Sequence, residues 1–250
     1  TRMRLVKWRR SSMRSSVCTS MARQNLKPRS PEQSTRATVK LDARMPKLTR
    51  DFFARPADEL APDLLGCLVV AGDVTLRITE VEAYLGAADP GSHAYRGQTA
   101  RNQTMFGPAG LLYVYRHMGL HSCCNVTAAE PGVGEAVLLR AGQILDGLES
   151  ARANRNARGV TKADRDLAQG PGRLTVALGI DWLDDGLDLC AAGSPIYLEA
   201  RREVPRRIAR GPRIGLRPEA TEPPEFALRF WIADDPTVSG PARLNRVAAD

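Results

Sequence analysis

Well-spaced cysteines are missing from this chain: its five, Cys18, Cys67, Cys123, Cys124 and Cys190, contain no Cys-x-x-Cys pair. This excludes the usual iron–sulfur and structural-zinc arrangements, and the adjacent Cys123 and Cys124 make a poor start for a disulfide framework. Reduced thiols are expected. Three histidines and no His-Glu-x-x-His sequence leave little from which to build a catalytic metal centre, so no metal and no other cofactor is expected. The longest apolar run, Leu64 to Gly72, is nine residues between Asp63 and Asp73. A bilayer-spanning helix needs roughly 20. Lysine is nearly absent after residue 46, where only Lys47 and Lys162 occur.

What is present is unevenly distributed. The formal net charge is +8, yet residues 1–50 hold 14 Lys/Arg against Glu32 and Asp42, while the other 200 hold 22 against 26 Asp/Glu. Basicity therefore describes the N-terminal segment, and a polyanion-binding surface on the remainder would need a local cluster, such as the seven arginines between Arg201 and Arg217. Residues 1–46 are rich in Arg and Ser without sustained apolar periodicity, which predicts a basic, disordered leader. A misassigned start is the preferred reading; a basic tail adding nonspecific nucleic-acid affinity and a transit-type peptide share the composition. Residues 47–250 then form one domain.

Within that domain, Pro56 is placed to open a helix of about ten residues that Gly66 closes. Cys67–Val70 and Leu76–Leu85 read as a hairpin around residues 71–73, and Leu111–Arg116 with His121–Val126 as a second. Val133–Ala141 reads as a strand, Gln143 to about Asn154 as an amphipathic helix, and Arg173–Leu178 as a shorter one. Short strands are expected near Ile196–Leu198, Ile214 and Phe226–Ile232. The fold class is α+β, a single domain on a curved antiparallel sheet with surrounding helices.

Three features could carry chemistry. Period-2 alternation puts Glu80, Glu82 and Tyr84 on one strand face and Thr79, Val81 and Ala83 on the other. Two carboxylates beside a tyrosine suit water activation, although a solvated outer face has the same pattern. At the second hairpin's tip, Met118 occupies a turn position that normally takes a polar residue. It reads either as a wedge of the kind that separates base steps or as a side chain folded back on the sheet. His93, Asn125 and Arg140, taken singly, pass for a loop histidine, a strand hydrogen-bonder and a surface cation.

Their order along the chain changes that reading. Glu82-Ala83-Tyr84-Leu85-Gly86, His93, Thr99-Ala100-Arg101-Asn102, Met105-Phe106, Leu112-Tyr113-Val114-Tyr115, Asn125, Val137-Leu138-Leu139-Arg140-Ala141 and Gly170-Pro171-Gly172-Arg173-Leu174 follow one another. This series resembles the alkyladenine (3-methylpurine) DNA glycosylase family, base-excision enzymes without a helix-hairpin-helix motif. The resemblance runs from about Leu48 to Val238.

The resemblance implies that Glu82 is the general base activating water against C1′ of the sugar, with Arg140 and His93 positioning the water and the lesion's backbone. It implies that Tyr84, His93 and Tyr115 wall the flipped base, and that Asn125 crowds the amino group of normal guanine. Thr99, Arg101, His121 and Arg173 fall in DNA-contacting segments. Met118 stands where the family's best-known intercalating tyrosine does, on a hairpin entering the minor groove, and His121 replaces a bulkier aromatic seen in some members. The implied partner is double-stranded DNA with alkylated or deaminated purines, handled by a monomer, in the cytoplasm at the nucleoid if the source is bacterial. The scarcity of lysine argues against a Schiff-base lyase. A binding module that has lost turnover and a hydrolase of free nucleosides are the competing readings.

Overall fold

The computed structural model describes residues 44–117, 119–159, 161–221, 224–241 and 245. Most of the basic N-terminal segment, residues 1–43, and Met118 lie outside the described residues. The described chain opens with α1 (Arg50–Phe53) and α2 (Ala57–Leu64). On α2, Ala57, Leu60, Ala61 and Leu64 share one stripe and are fully buried, as an amphipathic helix requires. Its first-turn donor, the Ala57 N–H, is taken by the Glu135 carboxylate at 2.7 Å.

β1 (Leu68–Ala71) and β2 (Val74–Leu85) form the expected first hairpin, closed by the two residues Gly72 and Asp73, with Gly72 at a φ of 59°. β3 (Leu112–His117) and β4 (His121–Ala128) form the second, paired out to His117 and His121. β5 (Glu135–Asp146), α3 (Leu148–Asn156), α4 (Pro171–Leu178), β6 (Ile196–Glu199), β7 (Ile208–Gly211) and β8 (Arg229–Ile232) complete the set. Every strand pair is antiparallel. The sheet runs β3-β4-β5-β2-β1-β6, and β8 joins β2 to β7 beside that row. This is the expected α+β domain on an antiparallel sheet.

Two expected elements differ. The helix begins at Leu148 rather than Gln143, because Gln143, Ile144 and Asp146 remain paired with Arg77, Leu76 and Thr75. Gly147 makes the break: its φ is 71°, and a Cβ there would lie 2.3 Å from the Asp73 carbonyl oxygen. No strand forms at Ile214; the strand in that region is β7, and Ile214 spends its backbone N–H elsewhere, as described below.

One side of the sheet packs on α2, α3 and α4 through a continuous core. Leu112, Val114, Cys124, Val126, Val137 and Leu139 belong to it, and their sequence neighbours Tyr113, Tyr115, Cys123, Asn125, Leu138 and Arg140 turn to the other side. There a smaller cluster of Ala94, Met105, Tyr113 and Ala136, with Phe106 and Tyr115, supports the loop after β2.

β2 reaches this pattern through an irregularity. Ile78 pairs with Gly142, Glu80 with Ala141 and Val81 with Leu139, so Thr79 is an extra residue on β2 and Arg140 an extra residue on β5. The core therefore receives Leu76 and Ile78 before the paired bulges but Val81 and Ala83 after them. Bulges re-aim side chains. Here they turn Glu80, Glu82 and Tyr84 away from the helices and set Arg140 beside the two carboxylates.

Candidate active site

Of the two readings of the β2 face, the solvated one is excluded, since Glu80 and Glu82 are both fully buried. Burial of two carboxylates requires partners, and each has several. Glu82 Oε1 forms an ion pair with Arg140 Nη1 at 3.1 Å and accepts from the Ile214 backbone N–H at 2.8 Å. Its Oε2 accepts from the Tyr84 hydroxyl at 3.0 Å. Glu80 Oε1 accepts from Arg140 Nε at 3.0 Å and Arg229 Nε at 2.6 Å, and its Oε2 from the Ser239 N–H at 2.7 Å. Arg140 is thus held by both carboxylates. Burial works against its charge, but the fields of Glu82 and Glu80 exceed that cost and raise its pKa above the ordinary arginine value.

Over this base opens a cavity of ≈ 260 Å³ lined by aromatic and polar side chains, among them Tyr84, His93, Tyr115, Asn125 and Arg140. His93 stands edge-on to Tyr115, ring centres 4.5 Å apart, and Tyr115 lies nearly parallel to Tyr113 at 5.7 Å. His93 Nδ1 is 3.0 Å from the Tyr113 hydroxyl. Desolvation by the cavity walls, with the nearby charges of Arg101 and His117, lowers the His93 pKa, so its ring is neutral at pH 7. Burial, then the charge of Glu82, pushes the Tyr84 phenol well up and keeps its proton on the bond to Glu82. Asn125 is buried and donates Nδ2–H to the Tyr113 carbonyl at 3.1 Å, which fixes its side chain at the cavity wall.

The site residues expected from sequence thus divide into two groups. Tyr84, His93, Tyr115, Asn125 and Arg140 line the cavity, and Glu82 lies against it through Tyr84, Arg140 and Ile214. Thr99, Arg101, His121 and Arg173 lie outside the cavity lining and are exposed. Thr99 closes a turn onto Asn102 Oδ1, and Arg173 sits in the first turn of α4. His121 packs on Gly172, where a Cβ would come within 3.0 Å of its own Cβ. The arginine series is partly neutralised, since Arg201 pairs with Asp63, Arg207 with Asp234, and Arg213 is buried against Asp89, while Arg202, Arg206 and Arg207 line one cleft away from the cavity.

Sequence reasoning missed several participants. Arg213 stacks its guanidinium 4.6 Å from the Tyr84 ring centre and is tied by Nη2 to Asp89 at 2.6 Å. Arg229 and Ser239 complete the Glu80 network from positions 149 and 159 residues away along the chain. No local pattern signals such distant partners. Glu80 alone had a signal, its parity with Glu82. Among the described residues no group of three or more His, Cys, Asp or Glu could hold a metal ion. Among them, too, no helix is long and apolar enough to cross a membrane.

The chain is similar to known proteins of one family. Residues 51–236 match the family model described as methylpurine-DNA glycosylase. A Streptomyces avermitilis protein named "Putative 3-methyladenine DNA glycosylase" is 49% identical over 198 residues, covering 77% of this chain and 90% of its own. Proteins of the same name from Corynebacterium glutamicum and Burkholderia lata are each 46% identical, over 75% and 78% of this chain and 94% and 91% of theirs.

Proposed function

The chain belongs to the methylpurine-DNA glycosylase family and is a base-excision-repair enzyme that hydrolyses N-glycosyl bonds, and from this premise we propose how its residues act. Glu82 is the general base. It takes a proton from water as the water oxygen bonds to C1′, the N-glycosidic bond breaks, and the purine leaves with the bonding electrons. The sugar keeps the hydroxyl and the strand stays intact. Arg140, Tyr84 and the Ile214 N–H orient the carboxylate so that little reorganisation accompanies the proton transfer. The observation that carries this reading is a buried carboxylate, held by an ion pair and two hydrogen bonds, at the base of an aromatic cavity.

The substrates we assign are N-alkylated and deaminated purines of the 3-methyladenine, 7-methylguanine and hypoxanthine type, flipped out of duplex DNA. Tyr84, His93 and Tyr115 hold the base; a π face attracts the positive charge that N-alkylation creates, and a neutral His93 adds no opposing charge. Asn125, fixed by Tyr113, crowds the amino group that guanine carries and the alkylated adenines lack. Thr99, Arg101, His121 and Arg173 contact the flanking backbone, and Met118 at the hairpin tip fills the vacated step. The domain of residues 47–250 works as a monomer, in the cytoplasm at the nucleoid in a bacterial cell.

The test compares wild type with Glu82→Gln on methylated duplex DNA in the presence of a chelator, with free purines detected by chromatography. Release by wild type alone supports the assignment. Equal release by both removes Glu82 from the role of base, and DNA binding without release by either makes the fold a damage-binding module.

A further inference from the structure

Trp182 is not part of the cavity described above, yet 46% of its surface is exposed and its neighbour Leu183 is 74% exposed. A large aromatic ring kept in water by a flexible loop would mean little, but this loop is rigidly built. Residues 182–184 form one turn of 3₁₀-helix closed at its N-terminus by a reciprocal cap: the Asp181 carboxylate takes the Trp182 N–H at 2.5 Å, and the Asp184 carboxylate takes the Asp181 N–H at 2.8 Å. The next residue, Asp185, takes the Val114 N–H and the Thr104 hydroxyl, each at 2.9 Å, which fastens the turn to β3.

β3 ends the row of strands, so beyond Val114 its outer side faces a cleft. This cleft of ≈ 350 Å³ is lined by Arg101, Val114, Tyr115, Arg116, Gly119, Trp182 and Asp185. Arg116 holds its guanidinium 4.9 Å from the centre of the Trp182 ring, and Arg101 Nη2 lies 3.4 Å from the Arg116 carbonyl oxygen. Two cationic groups therefore frame an indole. The carboxylates of Asp181 and Asp184 are directed into the turn's own bonds, and that of Asp185 onto Val114 and Thr104. Tyr115 lines both this cleft and the aromatic cavity.

We propose that this cleft is a second nucleotide site, which takes an unpaired base of the same DNA next to the flipped nucleotide. The proposal rests on the DNA glycosylase reading and extends it to a second contact. Indole and guanidinium planes both stack on bases, and such stacking is tolerant of sequence because every base has a π face. Arg101 and Arg116 match the phosphates on either side of such a base. A nucleotide in the cleft and a purine in the cavity would lie on the two sides of Tyr115. The consequence is a preference for lesions where pairing is already broken, as in bulges and frayed ends.

The test uses the full chain and two labelled duplexes carrying an abasic-site analogue, one otherwise paired and one with a single unpaired thymine beside the analogue. Fluorescence polarisation gives both affinities. Wild type is expected to prefer the unpaired duplex; Trp182→Ala loses about tenfold on it and less than twofold on the paired one, and Trp182→Phe keeps most of the preference. Thermal melting of each variant shows whether it is folded, and purine release from methylated DNA is measured alongside. Equal losses on both duplexes, or none, overturn the second site while purine release stands. A concentration-dependent dimer that Trp182→Ala abolishes also overturns it, because a second copy then covers the ring. Absence of purine release from wild type defeats the underlying reading instead.

Discussion

Replacing Glu80 by Gln tests the buried charge network without touching a group that meets substrate. The structure sets the magnitude. Glu80 accepts three bonds, from Arg140, Arg229 and the Ser239 N–H, and it is fully buried with Arg229 beside it at 1% side-chain exposure. Removing one member of a buried ion pair leaves its partner uncompensated and costs about 3–5 kcal/mol. A glutamine keeps one acceptor for the arginines but points an N–H₂ at the Ser239 N–H, so two donors face each other. Arg229→Met makes the converse defect, stranding one side of the carboxylate. Glu80→Gln combined with Arg229→Met removes both charges together, and the double variant is expected to lose less than the summed single losses, by about 1.5–3 kcal/mol. Equilibrium urea unfolding of all four proteins measures this, and single-turnover purine release under native conditions reports on the Arg140 held by Glu80. Additive effects, or single losses below about 1 kcal/mol, would refute the argument that Glu80 and Arg229 act as one unit.

Other outcomes follow from separate parts of the structure. Arg101→Ala should raise the His93 pKa towards its ordinary value, since the Arg101 charge helps depress it; ring-proton NMR titration reads this directly. The neutral imidazole is the form the fold favours, so this contribution to stability is present above the unfolded-state pKa and is lost as pH falls through the folded one. Gly142→Ala would set a Cβ 2.3 Å from Leu76 Cδ2 and 2.6 Å from the Arg77 carbonyl oxygen, and is expected to cost about 1–3 kcal/mol in thermal unfolding. Burial pushes the Cys67 thiol up to about 11, so native alkylation mapped by mass spectrometry should mark the half-exposed Cys190 well before Cys67 or Cys124. Asn125→Ala should raise guanine release from undamaged DNA by about tenfold, measured against unchanged release of 3-methyladenine.

The sequence carried the order of the elements well, because hairpins announce themselves through turn residues and alternating strands. It misread Gln143–Asp146, whose spacing suits a helix, because their conformation is imposed by pairing with residues 75–77 rather than by local preference. The alternation of Glu80, Glu82 and Tyr84 was visible, but their burial was not: covering comes from the loop that holds Ile214 and from the segment that holds Ser239. Arg213 looked like part of a basic surface and is instead enclosed with Asp89, a pairing across 124 residues that composition cannot reveal. The cavity walls were legible only through resemblance. Taken singly, a histidine, an asparagine and two tyrosines carry no geometry.

The paired bulges at Thr79 and Arg140 also govern how this domain can change. A strand behaves as a two-phase register, and each inserted or deleted residue reverses the phase of everything beyond it unless a bulge absorbs it. The extra Thr79 is absorbed by its bulge, so losing it would leave Val81 in the helix-packed core and Glu82 towards the cavity, whereas one further residue inserted before Val81 would send the carboxylate into the core and an isopropyl group towards the cavity. Losing the Arg140 position as well would leave a regular ladder but no cation between the carboxylates. The two bulges are therefore the positions where β2 and β5 can shorten without exchanging their faces, whereas a residue gained or lost beyond them reverses the strand. A chain of this lineage with a single-residue gap at Thr79 should keep the fold's core, whereas one with a gap at Arg140 should keep the core and lose its hydrolysis.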